Sequence, residues 1–373
     1  MRICVDKLSA LRALRVYRRT GLPLPARRDE LPVPNPSPHR RWTAPAIPAE
    51  PLDLAEPPNE KNPVDVLVPS AACRMQGSFV RCSSKAAGIP KRSYLDLRNG
   101  LHIPCPELLF LELASIMSTP SLALLGYELC GSYARDPQNP RMAEVVYGVE
   151  PATSVEKISA YLSKSGRRRQ VLLARHALSY VADNAWSPLE AIVALLACLP
   201  AHELGYELGS VALNVRHEGA TKLVELGCKG SRVPDIEIVG TCVGFNYDGH
   251  EHLDLESIRD AETQEAASDA LSRVREKYLD DLRRNRELAA LGKVILPVES
   301  SDLFMRGGLD AVMLEAALAI RELDGRDVSS TLAALDSASL TEARQQLAWS
   351  LLPWRKGIHH AREAQKRVPW QIV

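Results

Sequence analysis

Aromatic residues are scarce in this chain: Phe, Trp and Tyr make up 5% of 373 residues, and only four are Phe. Leu, Ala and Val therefore have to fill the core. Net charge is missing too, because Lys plus Arg and Asp plus Glu both number 46. No global field draws in a polyanion, so any nucleic-acid surface has to be a local patch. The eight cysteines form no CxxC pair and follow no secretory leader. That pattern argues for free thiols in a reducing cytoplasm, against a disulfide scaffold or a zinc finger. No apolar run approaches the roughly 20 residues a membrane span needs, so no membrane role is expected. No small-molecule cofactor motif is evident either.

The length leaves room for two domains of ordinary size. Residues 6–19, DKLSALRALRVYRR, place Leu8, Leu11, Leu14 and Val16 among five basic residues. They read as a short basic amphipathic helix with a solvated face. Residues 21–63 are proline-rich and aperiodic, which excludes helix and favours extended backbone; 1–63 therefore reads as helix plus linker or partly ordered wrapping. An α+β domain follows over 64–186. It has strands at VDVLVP, SFVRCSS and NGLHIP, then helices at ELLFLELASIM, 122–130, TSVEKISAYLSKS and the Arg-led RRRQVLLARHALSYVADNA. The arginines Arg167, Arg168 and Arg169 sit at a helix start, where cations oppose the dipole.

From Ser187 the pattern changes. Ser187 and Pro188 open a helix, SPLEAIVALLACL, as N-cap and first helical residue. Strands are expected at 211–216, 235–239 and 242–248, then a long charged helix, a strand at 293–298 and a helix at 309–322. Residues 323–373 read as a helical tail. The order helix–strand–strand–strand–helix–strand predicts an α/β domain over 187–322 with one mixed sheet, helices on both faces and Glu190 pointing toward Asp235.

The stretch 233–253, VPDIEIVGTCVGFNYDGHEHL, holds the candidate chemistry. Read as two strands turned at Gly240-Thr241, it puts Asp235 and Glu237 on one strand face, and Asn246 and Asp248 on one face of the next. Such convergence fits a divalent-cation site; the alternative is a hairpin whose acidic face meets water. His250 and His252 with Cys242 make a second, zinc-like set, although a His-x-His at a strand end is more often polar surface.

These motifs, in this order, resemble proteins related to the very-short-patch mismatch repair endonuclease, a restriction-endonuclease-like fold. Glu190 matches that family's helix acid, Asp235 its Pro-Asp, Asp248-Gly249 its Asp-Gly and His252 its histidine. Asp281 and Arg284 match its Asp-x-x-Arg helix pair before Leu291-Gly292. The resemblance covers about 187–320, and no single motif in it is specific. It implies DNA as partner and Mg²⁺ as cofactor, with Asp235, Asp248 and the residue at 246 around the metal. It also implies catalytic roles for Glu190, Asp235, Asp248 and His252, the last as general base or phosphate donor. Arg284, with Arg283 and Arg286, would meet phosphate or a site carboxylate, and Asp281 and Glu237 would support. The residues before Ser187 resemble, more weakly, an antitoxin-like module of some actinobacterial proteins.

One departure stands out: the family glutamate two residues before Asp248 is Asn246 here. An amide keeps an oxygen donor but removes a negative charge, which weakens a Mg²⁺ site. Three readings follow: a Mg²⁺-dependent DNA endonuclease, a nuclease-fold nucleic-acid-binding or regulatory module (antitoxin-like or phage-defence), and a protein-interaction module with a protein partner.

Overall fold

The structure, a computed structural model, describes residues 2–34, 43–98, 100–166, 168–248, 263–355 and 359. It is a mixed α/β chain that divides into two compact units, one covering 1–188 and the other Leu189–His360. No helix among the described residues is long and apolar enough to cross a membrane.

The first unit begins with β1 (Ile3–Cys4) and α1 (Lys7–Arg19), then β2 (Val64–Val68), β3 (Val80–Ser84), β4 (Tyr94–Arg98) and β5 (Leu101–Pro104). It continues through α2 (Pro106–Leu113), α3 (Thr119–Cys130), the short pair β6 (Tyr133–Ala134) and β7 (Val146–Tyr147), α4 (Val155–Lys164) and α5 (Arg169–Leu178). Strand β1 lies parallel to β5, which pairs antiparallel with β4. A bridge from Val5 to Val66 joins the parallel β2–β3 pair to this group. All five residues of β2 are buried, as expected of a strand covered on both faces. Ser154 caps α4 by accepting from the Lys157 N–H, so the Ser/Thr signal before that helix reads correctly.

The N-terminal helix docks on the body of the unit, but its basic face is not wholly solvated. Ile3 and Cys4 are fully buried, and α1 packs against α2, β2 and β5. Two of the five basic residues of α1, Arg15 and Arg18, are turned inward. Arg15 makes a bidentate pair with Glu128, at 2.9 and 2.7 Å. Arg18 donates to the carbonyls of Glu128, Gly131 and Glu150. The cause is the C-terminal end of α3, whose last carbonyls lack intrahelical partners and attract cations. Part of the proline-rich stretch wraps the same core, with Ile47 and Leu52 buried in it.

The second unit comprises α6 (Pro188–Cys198), β8 (Val211–Leu213), β9 (His217–Glu218), α7 (Thr221–Glu225), β10 (Ser231–Arg232), β11 (Ile236–Ile238) and β12 (Val243–Asp248). After these come α8 (Gln264–Ala290), β13 (Val294–Glu299), α9 (Ser300–Phe304), α10 (Gly308–Asp324), α11 (Ser329–Asp336) and α12 (Ala338–Leu351). One mixed four-stranded sheet runs β13-β12-β11-β8, with β12 and β13 parallel and the other neighbours antiparallel. Gly240, at φ +77°, makes the turn between β11 and β12. Gly292, at φ +78°, stops α8 and releases the chain into β13. Helices α8, α9 and α10 pack on β13, and α10 also on β12.

One expectation needs correction here. The strand placed at 211–216 ends at Leu213, because Asn214 takes a left-handed φ of 52° that no strand continues through. The described part of the tail expected after 322 is helical, as α11 and α12, and it packs into the unit. Arg344 of α12, 1% exposed, donates to Asp310 Oδ1 at 2.8 Å and to the Ala334 carbonyl, and lies 4.5 Å over the Tyr206 ring. A buried charge needs such partners, and these lock α11 and α12 into the unit.

Candidate functional site

Strand register assembles the site. Ile236 faces Phe245 and Glu237 faces Gly244, so Asp235 falls opposite Asn246. Side chains alternate, so Asp235, Glu237, Asn246 and Asp248 share one face of the sheet. A cross-strand clasp fixes this end: the Asp235 N–H donates to Asn246 Oδ1 at 3.1 Å, and the Tyr247 N–H donates to Asp235 Oδ2 at 2.7 Å. The approach is close because position 244 is glycine; a Cβ there would lie 2.4 Å from the Ile236 carbonyl oxygen.

Glu190, buried in α6, is brought in indirectly. Asn214 Nδ2 donates to Glu190 Oε1 at 2.7 Å, while the Asn214 N–H donates to the Asp235 carbonyl at 3.0 Å. Asn214 therefore links the helix acid to the Asp235 strand end. Sequence reasoning passed over it. The available signal was an asparagine closing a strand, one of the few non-glycine residue types that accept a left-handed turn.

From α8 comes Arg284, whose Nη2 lies 3.6 Å from Asp248 Oδ1 and 3.2 Å from Asp281 Oδ1. Arg284 thus pairs with a site carboxylate, while Arg283 and Arg286 are exposed on the same helix. Burial pushes the Asp235 carboxyl up to about 6, and the charges of Asp248 and Asp281 add to the rise against the Tyr247 N–H and Arg284. The other side of α8 is clamped by Arg232. Its Nε and Nη2 meet Glu287 at 2.5 and 3.1 Å, and its Nη1 meets Asp280 at 3.1 Å.

Glu237 is neither solvent-facing nor available to replace the missing charge. It is 7% exposed and held by His217 Nε2 and, at 2.6 Å, by Lys293 Nζ. His217 and Lys293 were not singled out from sequence, since their partner lies on another strand. Cys242 sits at the start of β12, where its thiol and N–H donate to Asp324 of α10. That is the end of the strand opposite Asp248. His250, His252 and Gly249 lie outside the described residues, as does Arg167 in the first unit.

Among the described residues, no group of three or more His, Cys, Asp or Glu side chains is arranged to hold a metal. Besides Glu237, which His217 and Lys293 hold, the face offers two carboxylates, Asp235 and Asp248, with Arg284 of α8 beside Asp248. Comparison with protein-family models, with curated proteins and with solved structures returned no match. The chemistry of the site therefore has to be read from its own residues.

Proposed function

We propose that the second unit is a nuclease-like domain of the restriction-endonuclease type, acting on DNA phosphodiesters with a divalent cation at a site weakened by Asn246. One observation carries this reading: Asp235 and Asp248 share a sheet face with Glu190 anchored beside them through Asn214. The element order and the sheet order β13-β12-β11-β8, with β12 and β13 parallel, support the same assignment.

The donor set fits Mg²⁺, which commonly takes one or two protein carboxylates and fills its shell with water and phosphate oxygens. The raised Asp235 carboxyl fits as well, since a cation would favour the ionised form that its surroundings disfavour. When bound, the cation lowers the pKa of a water and stabilises charge on the scissile phosphate. Asp235 and Asp248 hold that position, the Asn214 link fixes the Asp235 strand end, and Arg284 orients Asp248 while presenting a guanidinium toward phosphate. Arg283 and Arg286 extend the basic face of α8, and His252 is the general-base candidate.

Asn246 favours a second reading, a nucleic-acid-binding or regulatory module that has lost catalysis. Its side chain is 1% exposed, its Oδ1 is used by Asp235, and its Nδ2 has no partner among the described residues. An amide committed this way adds a donor where a cation wants a charge. Nicking of supercoiled plasmid in Mg²⁺ or Mn²⁺, with Asp235→Ala as control, separates the two. Nicking that disappears in the control supports the enzyme. DNA binding without nicking in either cation selects the binding module.

A further inference from the structure

In the first unit, strand register gathers a second set of polar groups on one face of the sheet β1-β5-β4. Cys4 pairs with His102, and His102 with Asp96, so the three side chains share a face. Arg2, two residues before Cys4, falls on the same face. A cleft of about 760 Å³ is lined by Arg2, Asp96 and His102 and by residues between 25 and 33 of the proline-rich stretch. Small-molecule sites occupy roughly 300–1,000 Å³, so the cleft is of that size. The proline-rich strap is pinned in place. Tyr17 donates to the Pro23 carbonyl at 3.1 Å, and the Arg92 N–H donates to Glu30 Oε1 at 3.2 Å. Asp29 and Tyr94 exchange backbone bonds at 2.7 and 3.2 Å.

Formal charges in the lining cancel, with Arg2, Arg27 and Arg98 against Asp29, Glu30 and Asp96. Their hydrogen-bonding commitments do not cancel. Asp29 Oδ1 accepts from Arg27 Nε at 3.0 Å, Asp96 Oδ1 from the Gly100 N–H at 3.2 Å, and Glu30 Oε1 from Arg92. Every acid in the cleft is therefore engaged. Arg2, by contrast, makes no side-chain hydrogen bond or ion pair among the described residues, and Arg98 only leans over the Tyr17 ring, 6.0 Å from its centroid. His102 is 5% exposed, and its Nδ1 lies 3.2 Å from the Gly100 carbonyl. A carbonyl can only accept, so Nδ1 carries the proton there and Nε2 is left toward Asp29 Oδ2 at 3.6 Å. The spare donors of the cleft are guanidinium groups.

We infer that this cleft binds a small organic oxyanion, a carboxylate or phosphate headgroup on a short aliphatic body. Leu101 of β5 is level with Ile3 on one side and Arg98 on the other, so Arg2 and Arg98 flank the same end of β5. There they hold the headgroup by charge-assisted hydrogen bonds. The body lies against Pro25, Leu31, Pro32 and Val33 of the strap. No Phe, Tyr or Trp is among the described residues of the lining, which favours an aliphatic body over a stacked base. Because the strap is already pinned, little ordering accompanies binding. The site is built entirely from the first unit and does not depend on the nuclease-like face of the second.

The test is calorimetric titration of the full-length protein with hexanoate and with hexyl phosphate. Hexanol and hexylammonium, at matched ionic strength, serve as the uncharged and cationic twins. Saturable binding of at least one anion, and of neither twin, is expected. Arg2→Gln and Arg98→Gln, both at exposed positions, should each weaken it at least about tenfold, since each removes a charge-assisted bond. Exposed Lys164→Ala should leave it unchanged. A preference for hexyl phosphate assigns a phosphate headgroup, and a preference for hexanoate assigns a carboxylate. The site is overturned if neither anion binds saturably, or if hexanol or hexylammonium binds as tightly as the anions. Anion affinity that is unchanged in both glutamine variants overturns it as well.

Discussion

Asp235 and Asn246 face each other across β11 and β12, and the side-chain oxygen of Asn246 accepts the backbone N–H of Asp235 at 3.1 Å. The residue that departs from the nuclease pattern is therefore also the one that holds the first metal-ligand candidate in place. Replacing it tests chemistry and architecture together.

Asn246→Glu adds a carboxylate to the face carrying Asp235 and Asp248. Mn²⁺ and Mg²⁺ affinity should rise and nicking should appear or increase. In chelator the variant should be less stable by about 2 kcal/mol, since a buried charge replaces an amide and the Asp235 N–H loses its acceptor. Cation titrations followed by calorimetry and urea unfolding check both halves. Lower stability that added Mn²⁺ does not rescue would count against a metal position here.

The raised Asp235 carboxyl has a pH consequence. Its folded value of about 6 lies above the ordinary 3.8, so the native state holds the proton more tightly than the unfolded chain. The contribution to stability is fullest below the unfolded value and is lost as pH rises through about 6. Between about pH 4.5 and about pH 7.5 this group should lower stability by on the order of 2 kcal/mol. Asp6 in the first unit, also raised to about 6 by burial, adds a similar slope. Urea unfolding at both pH values should show Asp235→Asn losing its share of the slope. Parallel behaviour of variant and wild type would contradict the assignment.

Glu128 has the opposite sign. Burial alone would raise its carboxyl, but Arg15, then Arg135 and Arg18, hold it at about 2, below the ordinary 4.5. Its contribution is present above the ordinary value and is lost as pH falls through about 2. Glu128→Gln leaves Arg15 buried without its counter-charge and should cost about 3–5 kcal/mol. Denaturant unfolding of the variant, with Glu144→Gln on the exposed loop as reference, measures the loss.

DNA affinity should be mainly electrostatic and fall steeply with salt, because each neutralised phosphate releases counterions. If Arg283 and Arg286 contact the backbone, alanine at each should reduce the slope of log affinity against log salt by about 1 without changing sequence preference. A salt titration of the two variants decides this, and a flat titration in wild type would instead favour protein interaction.

Much of the second unit was legible because its signals are local. The two-residue alternation of β11 and β12 is enough to put Asp235, Asn246 and Asp248 on one face, and Gly240 and Gly292 mark real turns. What stayed hidden depends on distant partners. Arg15 and Arg18 look like a solvated stripe until Glu128 and the end of α3 arrive, and Glu237 looks exposed until His217 and Lys293 close on it. The two-residue strand β1 is too short for any periodicity. Asn214 departs from strand geometry through a backbone angle that no apolar pattern encodes.

Strand β1 also sets a schedule. Its parallel partner, Leu101-His102, is made about a hundred residues after Ile3-Cys4. At translation rates of roughly 5–20 residues per second, Ile3 and Cys4 wait on the order of 5–20 s for the strand they pair with. The face of α1 that packs on β5 is left uncovered over the same interval. Nascent-chain stalling just before and just after β5 emerges should therefore mark the point at which this end of the protein becomes resistant to protease.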